Sequence, residues 1–284
     1  MLKIDHITKT FRSPQGGKAQ TIRAVQDVSL SFKEGNHFGL VGESGSGKST
    51  LARIMAGLYR PDEGRILLDG QPVSTAKGRV SAKAGRQIQM VFQNPDSSLD
   101  PRWPVRKILR EGLLIKNRDL DLEQQERKMR DILKAVQLDH RILDRYPHTF
   151  SGGERQRIAI ARALLMDPKV LILDEAVSSL DVIVQEEIVR LLKYLPETIP
   201  VTYFFITHDL RVVRRVCSHI AVMRRGRVVE SAPAGELFEN PLHPYTRRLM
   251  IAATRYETAS SDGEIVPDEK SRLIDKGGGH FVVE

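Results

Sequence analysis

The alternation of apolar and polar residues predicts β-strands along much of the chain. Residues 2–32 alternate with the two-residue period of strands, around a polar stretch at 12–20 that predicts a hairpin or an insertion. Further apolar runs predict strands at 36–42, 64–70, 87–93, 169–175, 201–207 and, as a hairpin that turns at Gly226, 219–231. These segments are the candidate strands of the core.

Helical periodicity appears between the candidate strands. Residues 48–59 predict a helix that Pro61 stops, and residues 185–195 predict another helix between two strands. From 101 to 165 strand patterns are missing, and residues 122–138 are amphipathic with a helical period. Strands that alternate with helices predict an α/β fold with a parallel sheet, here interrupted by a helical insert near 101–165.

The C-terminal segment has a different composition from the rest. Residues 257–279 are polar and rich in glycine, which predicts a flexible tail. We therefore expect one domain over residues 1–255, followed by a C-terminal extension over residues 256–284.

One predicted helix begins in an unusual way, in the stretch TFSGGERQRIAIARALL at 149–165. Ser151 is a candidate N-cap, and Glu154 stands at the spacing of a capping box. Gly152 and Gly153 fall in the first turn, where each glycine costs about 1 kcal/mol relative to alanine. A helix that serves only for packing has no need of them, so the glycines predict a close approach by another group.

Composition and charge exclude some classes of protein. The 284 residues are 40% hydrophobic, and 44 Lys and Arg against 36 Asp and Glu give a net charge of +8. This excess of positive charge is compatible with binding to nucleic acid, anionic lipid headgroups or phosphate ligands, and equally with a solvated basic surface. Cys217 is the single cysteine and is expected in or near the core, so an intramolecular disulfide and cysteine-ligated zinc or iron–sulfur clusters are excluded. No apolar run approaches 18 residues, and the N-terminus predicts a strand and not a signal peptide.

The strongest chemical signal is the sequence GESGSGKST, which satisfies G-x-x-x-x-G-K-[ST] between a predicted strand and a predicted helix. Its residues are Gly42, Glu43, Ser44, Gly45, Ser46, Gly47, Lys48, Ser49 and Thr50. The glycines allow backbone N–H groups to curl around phosphate oxygens, and the helix start adds partial positive charge. Lys48 is expected at the β- and γ-phosphates, Ser49 at Mg²⁺ and Thr50 at an α-phosphate.

Acidic and polar residues follow three other predicted strands. Asp174 ends the apolar run VLILD and can hold the shell of Mg²⁺, while Glu175 can orient and deprotonate an attacking water. Gln93 follows a strand and is a candidate contact to Mg²⁺ or to that water. His208 follows another strand and is a candidate hydrogen-bond partner of the γ-phosphate.

The order of these motifs, with SGGERQR before LILDE and SSLD after it, resembles the ATP-binding cassette (ABC) ATPases over residues 1–255. The resemblance implies a P-loop NTPase core of the ABC type, with an N-terminal antiparallel β subdomain and a helical signature subdomain at about 101–165. It implies that ATP and Mg²⁺ are bound, and that Phe11 stacks on the adenine. It also implies that Asp181 crosses a dimer interface.

The same resemblance offers an explanation for the glycine-rich helix start. In ABC dimers two chains pack head to tail, and the signature helix of one chain caps the γ-phosphate held by the other. The expected signature residues are Ser151, Gly152, Gly153 and Glu154, with the glycines leaving room for the nucleotide and the facing loop. Two departures occur: Phe150 replaces the common Leu before Ser151, and Ala176-Val177 replaces the common Pro-Thr after Glu175.

Two further segments narrow the resemblance to one branch. QNPDSSLDPRWPVRKIL and ELFENPLHPYTRRLM resemble the patterns of dipeptide, oligopeptide and nickel importer ATPases, and the DEA and SLD motifs also resemble antimicrobial-peptide-uptake members. The resemblance implies two transmembrane permease subunits, which dock at a groove around Gln93–Arg102. It further implies a second ATPase subunit, non-identical or else a second copy of this chain, an extracytoplasmic substrate-binding protein, and a peripheral position on the cytoplasmic face of the inner membrane.

Two other classes compete with a transport ATPase. A DNA-repair or chromosome ABC ATPase suits the charge of +8, but it would need coiled-coil arms, zinc cysteines or a second cassette. A small-molecule kinase suits the phosphate loop but gives no reason for the signature helix. We therefore expect no nucleic-acid partner.

Overall fold

The computed structural model describes residues 2–15, 18–74, 81–95, 98–116, 119–254 and 272–283. The chain divides into two compact units, one formed by Met1–Val80 with Phe205–Glu284 and the other by Ser81–Phe204. The chain passes from the second unit back into the first within a single buried strand. The α/β fold predicted from the sequence is confirmed.

The N-terminal part of the first unit is built from β-strands around one helix. Its elements are β1 (Leu2–Gln15), β2 (Lys18–Phe32), β3 (Phe38–Val41), α1 (Lys48–Met55), β4 (Glu63–Leu68) and β5 (Gln71–Pro72). Four of the strands form an antiparallel sheet in the order β2-β1-β4-β5, with β1 and β2 as the predicted hairpin. Ile4 and Ile7 of β1 pack in its core with Val25 and Val28 of β2, all four almost fully buried.

Helix α1 ends earlier than the sequence predicts. Its last residue is Met55, and not a residue next to Pro61. Gly57 adopts φ 73°, its N–H donates to the carbonyl of Ile54 at 3.0 Å, and the N–H of Leu58 donates to that of Arg53 at 2.7 Å. This pair of bonds is a Schellman cap, which satisfies the last carbonyls of the helix before the proline is reached.

The second unit is mostly helical. Its elements are α2 (Ala82–Gln87), β6 (Ile88–Val91), α3 (Val105–Lys116), α4 (Leu122–Ala135), α5 (Gly152–Leu164), β7 (Val170–Asp174), α6 (Val182–Thr198) and β8 (Thr202–Thr207), whose last three residues belong to the first unit. Strands β6 and β7 pair in parallel, and every residue of β7 is buried. The helical character predicted between residues 101 and 165 corresponds to α3, α4 and α5 with two short 3-10 helices.

The C-terminal part of the first unit adds four strands to a second sheet, which also contains β3. Its elements are α7 (Leu210–Val216), β9 (His219–Arg224), β10 (Arg227–Pro233), α8 (Ala234–Glu239), α9 (Pro244–Thr254), β11 (Leu273–Asp275) and β12 (Phe281–Val283). Within this unit the strands follow the order β11-β12-β10-β9-β3, with β3 and β9 in parallel. Cys217 is buried as predicted, and burial raises the pKa of its thiol.

The end of the chain differs from the flexible tail that the sequence predicts. Residues 255–271 lie outside the described residues, but β11 and β12 form a hairpin that pairs with β10. The glycines at 277–279 adopt positive φ in the turn between the two strands, and Val282 is buried. The glycine-rich composition thus marks a tight turn here. No helix among the described residues is long and apolar enough to cross a bilayer.

Candidate functional site

The phosphate loop lies between β3 and α1, as the sequence predicts. Lys48 is buried, and its Nζ donates to the carbonyl oxygens of Gly42 and Glu43, both at 2.7 Å, and to the hydroxyl of Ser46 at 3.3 Å. These three contacts hold the side-chain amine of Lys48 within the loop. A cation held in this way can attract and orient phosphate oxygens.

The backbone of the loop requires glycine at two positions. Gly42 adopts φ 151°, and a Cβ there would lie 2.1 Å from the carbonyl oxygen of Met223. Gly47 adopts φ 107°, and a Cβ there would lie 2.1 Å from the carbonyl oxygen of Ala24. The loop is also held from the turn between β9 and β10, because the N–H of Gly226 donates to the carbonyl of Ser46 at 2.8 Å. The close approach of backbone to backbone fixes the shape of the loop.

The start of α1 completes an anion-binding arrangement. Gly47 is its N-cap, and in the described part of the chain no side chain caps this helix start. The first turn carries Lys48, Ser49 and Thr50 and has no acidic residue. The partial positive charge of the helix therefore adds to that of Lys48, where negative charge is stabilised.

Two other predicted residues of the first unit lie at its surface. Phe11 of β1 is half-buried and packs edge-on against Tyr59, with ring centroids 5.7 Å apart. Its ring also lies 5.5 Å from the Nζ of Lys9. His208 directly follows β8 and is exposed. Phe11 therefore belongs to an accessible aromatic pair, and His208 is accessible to a ligand.

The acidic end of β7 carries a strained residue. Asp174 is the last residue of the strand and is buried, while Glu175 is half-buried and adopts φ 49°. The left-handed conformation costs an L-residue other than glycine about 1–2 kcal/mol. Such strain persists where the surrounding structure enforces it, and it is concentrated at functional sites. Glu175 is one of seven described non-glycine residues with positive φ, and its position directly after Asp174 at the end of β7 is what makes it a candidate for a functional role.

Gln93 and Asp181 are both exposed in the second unit. The carbonyl oxygen of Gln93 accepts from the hydroxyl of Ser179 at 3.2 Å, so the segment after β6 contacts the SSLD segment. Asp181 is the N-cap of α6, where its carboxylate accepts from the N–H of Val184 at 3.0 Å. This cap fixes the position of the SSLD segment at the start of α6.

The start of α5 has the capping box that the sequence predicts. The hydroxyl of Ser151 accepts from the N–H of Glu154 at 3.3 Å, and the Glu154 carboxylate accepts from the N–H of Ser151 at 2.9 Å. Both side chains are at the helix start, with Ser151 exposed and Glu154 half-buried. Ser151 therefore remains accessible at an ordered helix terminus.

Packing within this chain explains why glycines occupy the first turn of α5. A Cβ on Gly153 would lie 2.3 Å from Cγ1 of Val184, and one on Gly152 would lie 3.3 Å from Cδ2 of Leu180. The absence of side chains thus lets the segment before and at the start of α6 pack directly on the start of α5. The close approach predicted from the sequence exists, and the group that approaches is part of the same chain.

The two departures from the family pattern are packing residues. Phe150 is 5% exposed, and the guanidinium of Arg145 lies 4.4 Å from its ring centroid. Arg145 also donates to the carbonyl of Thr149 at 2.9 Å. Ala176 and Val177 are buried. Phe150 thus anchors the segment before the signature under a cation–π contact.

Two of the residues predicted to bind magnesium carry oxygen donors, one in each unit of the chain. Ser49 supplies a half-buried hydroxyl at the start of α1, and Asp174 supplies a buried carboxylate at the end of β7. Hydroxyl and carboxylate oxygens are hard ligands of the kind that Mg²⁺ prefers.

One residue that contacts the phosphate loop was missed by the sequence analysis. The hydroxyl of Tyr245 accepts from the N–H of Glu43 at 3.1 Å. Tyr245 belongs to the stretch ELFENPLHPYTRRLM, which the sequence marked only as a feature of one family branch. Ser179, which contacts Gln93, was missed as well, although it lies in the SSLD motif.

The fold and the loop define a class of protein. A buried strand that leads into G-x-x-x-x-G-K-[ST] and then a helix, within an α/β fold, is the phosphate-binding unit of a P-loop nucleoside triphosphatase. In a comparison with protein families, residues 25–178 match the family described as ABC transporter. The chain belongs to the ABC transporter family, as an ATP-binding cassette with ATPase activity.

Individual relatives agree with this class. The chain is 44% identical to the oligopeptide transport ATP-binding protein OppF of Bacillus subtilis over 253 residues, 89% of this chain and 82% of that protein. It is 45% identical to the di/tripeptide transport ATP-binding protein DppF of Pseudomonas aeruginosa over 249 residues, 87% of this chain and 76% of that protein. The ATP-binding cassette MJ0796, solved as a dimer in a post-hydrolysis state bound to ADP and Pi, matches with a TM-score of 0.71 and 31% identity, over 82% of this chain and 99% of that one.

Proposed function

We propose that this chain is the ATP-hydrolysing subunit of a membrane transporter that imports short peptides. The main structural observation behind this proposal is the geometry of the phosphate loop, in which Lys48 is buried at a helix start that no described side chain caps. The relatives of the chain are named for oligopeptide and di/tripeptide transport. The loop supports nucleotide binding, and the relatives support the transported class.

The phosphate loop and two other residues of the first unit have proposed roles in binding ATP. Lys48 orients the β- and γ-phosphates, and the backbone N–H groups of Gly42–Thr50 surround the phosphate oxygens. Phe11 presents a half-buried ring to the adenine. His208 donates a hydrogen bond to the γ-phosphate. These tasks follow from a cationic loop with an aromatic pair and an imidazole exposed on the same unit.

The second unit supplies the groups proposed for hydrolysis. Asp174 and Gln93 of this unit would supply oxygen ligands to Mg²⁺, for which Ser49 of the phosphate loop is a further proposed ligand, and the bound ion would neutralise charge on the phosphates. Glu175 orients the attacking water and takes its proton, for which its enforced conformation is the supporting observation.

The signature residues are proposed to act on a second ATPase subunit. The N–H groups at the start of α5 present donors to the γ-phosphate held by the partner, and the hydroxyl of Ser151, which here donates to the Glu154 carboxylate at 3.0 Å, would turn to the phosphate when it is bound. Asp181 lies beside two exposed apolar residues, Val182 and Ile183, which are 80% and 76% exposed. Such apolar exposure beside the SSLD segment supports an interface with the partner subunit, either non-identical or a second copy.

A groove in the second unit is the proposed docking site of the permeases. A cavity of about 720 Å³ is lined by residues that include Phe92, Ser98, Glu111 and Ile115. Arg162 spans one wall, donating to the carbonyl of Ser98 at 2.6 Å and to the carboxylate of Glu111 at 2.8 Å. The groove includes part of the segment Gln93–Arg102 predicted to contact a membrane partner. Closure of the ATPase pair would move a helix seated there.

One pair of charged residues, Asp100 and Arg102, stabilises the conformation of the docking segment. Asp100 accepts two hydrogen bonds from the guanidinium of Arg102, at 3.0 and 2.8 Å, and these bonds lower the pKa of the carboxyl to about 2. A permease docked here places the chain on the cytoplasmic face of the inner membrane, with an extracytoplasmic binding protein delivering the peptide.

Peptide uptake by reconstituted vesicles tests the proposal. The chain is assembled with the permeases and partner ATPase of its transporter, and uptake of labelled tri- to pentapeptides is measured with ATP inside or outside the vesicles. We expect uptake only when ATP is on the side of this chain and the peptide, with its binding protein, is on the other. Uptake of nickel without peptide uptake would contradict the peptide assignment.

A further inference from the structure

Helix α9 places a tyrosine against the outside of the phosphate loop. The hydroxyl of Tyr245, the second residue of α9, accepts from the N–H of Glu43 at 3.1 Å, and Lys48 donates to the carbonyl of the same residue at 2.7 Å. Glu43 is thus held through its N–H from outside the loop and through its carbonyl from inside. Its backbone conformation depends on both contacts, and the position of Lys48 is coupled to it.

Tyr245 is itself held in a buried hydrogen-bonded chain. Its N–H donates to Nδ1 of His243 at 3.0 Å, and the N–H of His243 donates to the carboxylate of Glu230 at 3.0 Å. That carboxylate, which is 0% exposed, also accepts from the N–H of Leu242 at 2.7 Å and contacts Nε2 of His280 at 2.7 Å. A buried carboxylate with these partners fixes the turn before α9 in one geometry.

The ring of Tyr245 is also enclosed. The residue is 3% exposed, and the guanidinium of Arg224 lies 4.8 Å from its ring centroid. Burial raises the pKa of the Tyr245 hydroxyl and lowers that of the His243 imidazole, so at neutral pH the phenol is protonated and Nδ1 is free to accept a hydrogen bond. The phenol is therefore an enclosed, neutral group that accepts from the backbone of Glu43, and the carboxylate of the same residue also raises its pKa.

We propose that Tyr245 is a positioning residue for ATP binding, which sets the backbone of the phosphate loop through Glu43 and is held in place by Glu230 and His243. The proposal rests on the proposed ATPase function and assigns a task to the ELFENPLHPYTRRLM segment. Because the contact acts on the loop and touches no reacting atom, it affects the affinity for ATP and not the chemical step.

The test is Tyr245→Phe in the full chain, which removes the hydroxyl and keeps the ring. We expect the KM for ATP and the Kd of a fluorescent ATP analogue to rise about fivefold, in the range for the loss of one hydrogen bond, with kcat within twofold of wild type. Hydrogen exchange in the peptide covering residues 40–48 should become faster. The matched control is Tyr203→Phe, which removes the hydroxyl of another buried tyrosine and should leave all three quantities unchanged.

The outcomes separate this proposal from the ATPase assignment. If wild type fails to bind ATP, the ATPase function itself is wrong. If wild type binds ATP while Tyr245→Phe has unchanged KM, Kd and exchange, Tyr245 has only a packing role and the proposal is overturned. Equal losses in Tyr245→Phe and Tyr203→Phe would also overturn it, because they would reflect general loosening of the fold.

Discussion

Replacing Glu175 with glutamine is expected to slow ATP hydrolysis at least about a hundredfold and to leave ATP binding intact. A general base contributes about 10²–10⁴ to the rate, and glutamine can orient a water but cannot take its proton. Glutamine must adopt the same backbone conformation as glutamate, with φ 49°, so we expect the backbone strain and the fold to be unchanged. Since ATP would then stay uncleaved between two subunits, we expect an ATP-dependent dimer in size-exclusion chromatography.

The control for this variant is Glu197→Gln, which removes the same charge from an exposed position in α6. It should hydrolyse ATP at the wild-type rate and form no stable dimer. Steady-state phosphate release and the Kd for ATP are measured on all three proteins. If Glu175→Gln turns over like wild type, Glu175 is not the base, and its strained conformation has another cause.

Replacing Gly153 at the start of α5 with alanine, which adds one methyl group, is also expected to lower ATPase activity and stability strongly. In Gly153→Ala the new Cβ would lie 2.3 Å from Cγ1 of Val184, so either the stiff, β-branched side chain of Val184 or the start of α6 must shift. Overpacking of this kind costs about 1–3 kcal/mol, partly offset by the better helix propensity of alanine. Because Asp181 caps that same helix, we expect at least a tenfold loss of ATPase activity together with a lower urea midpoint.

The double variant Gly153→Ala/Val184→Ala separates two explanations of the glycine. Truncating Val184 removes the clashing atom, so the free energy of unfolding and the ATPase rate should both recover to near wild type. Val184→Ala alone serves as the matched control for the loss of that side chain. Recovery of stability without recovery of hydrolysis would instead mean that a group outside the chain, such as the nucleotide of the partner, needs the space.

The parts of the fold that were predictable from the sequence are set by local chemistry. The hairpin of β1 and β2 follows from two-residue alternation, and the capping box at Ser151 follows from the spacing of two side chains. The phosphate loop was also predictable, because a strand, a glycine-rich turn and a helix start adjoin one another in the chain. Each of these features depends on neighbouring residues only.

The features that escaped prediction depend on contacts between distant residues. Gly277–Gly279 have the composition of a linker, but burial of Val282 and the contact of His280 with Glu230 order them as a turn. The contact of Tyr245 with Glu43 spans 202 positions of sequence. Nothing local distinguishes such a tyrosine from a core residue.

The site is predictable to a similar degree. The residue types and their order point to a phosphate loop and an acidic strand end, but the reason for Gly153 is not visible in the sequence. A glycine in a first turn indicates a close approach without indicating what approaches. The structure identifies Val184, which lies 31 positions farther along the chain and is an ordinary apolar residue of a helix.

The central claim, that this cassette drives a membrane importer, is tested most directly by asking what stimulates its ATPase activity. ATP hydrolysis is measured for the purified chain with its partner ATPase, in the presence of vesicles carrying the permeases, of empty vesicles, and of duplex DNA. We predict stimulation by the permease vesicles, increased further by peptide-loaded binding protein, and none by the other two. Stimulation by duplex DNA and not by the permeases would contradict the account and favour an ABC ATPase that acts on DNA.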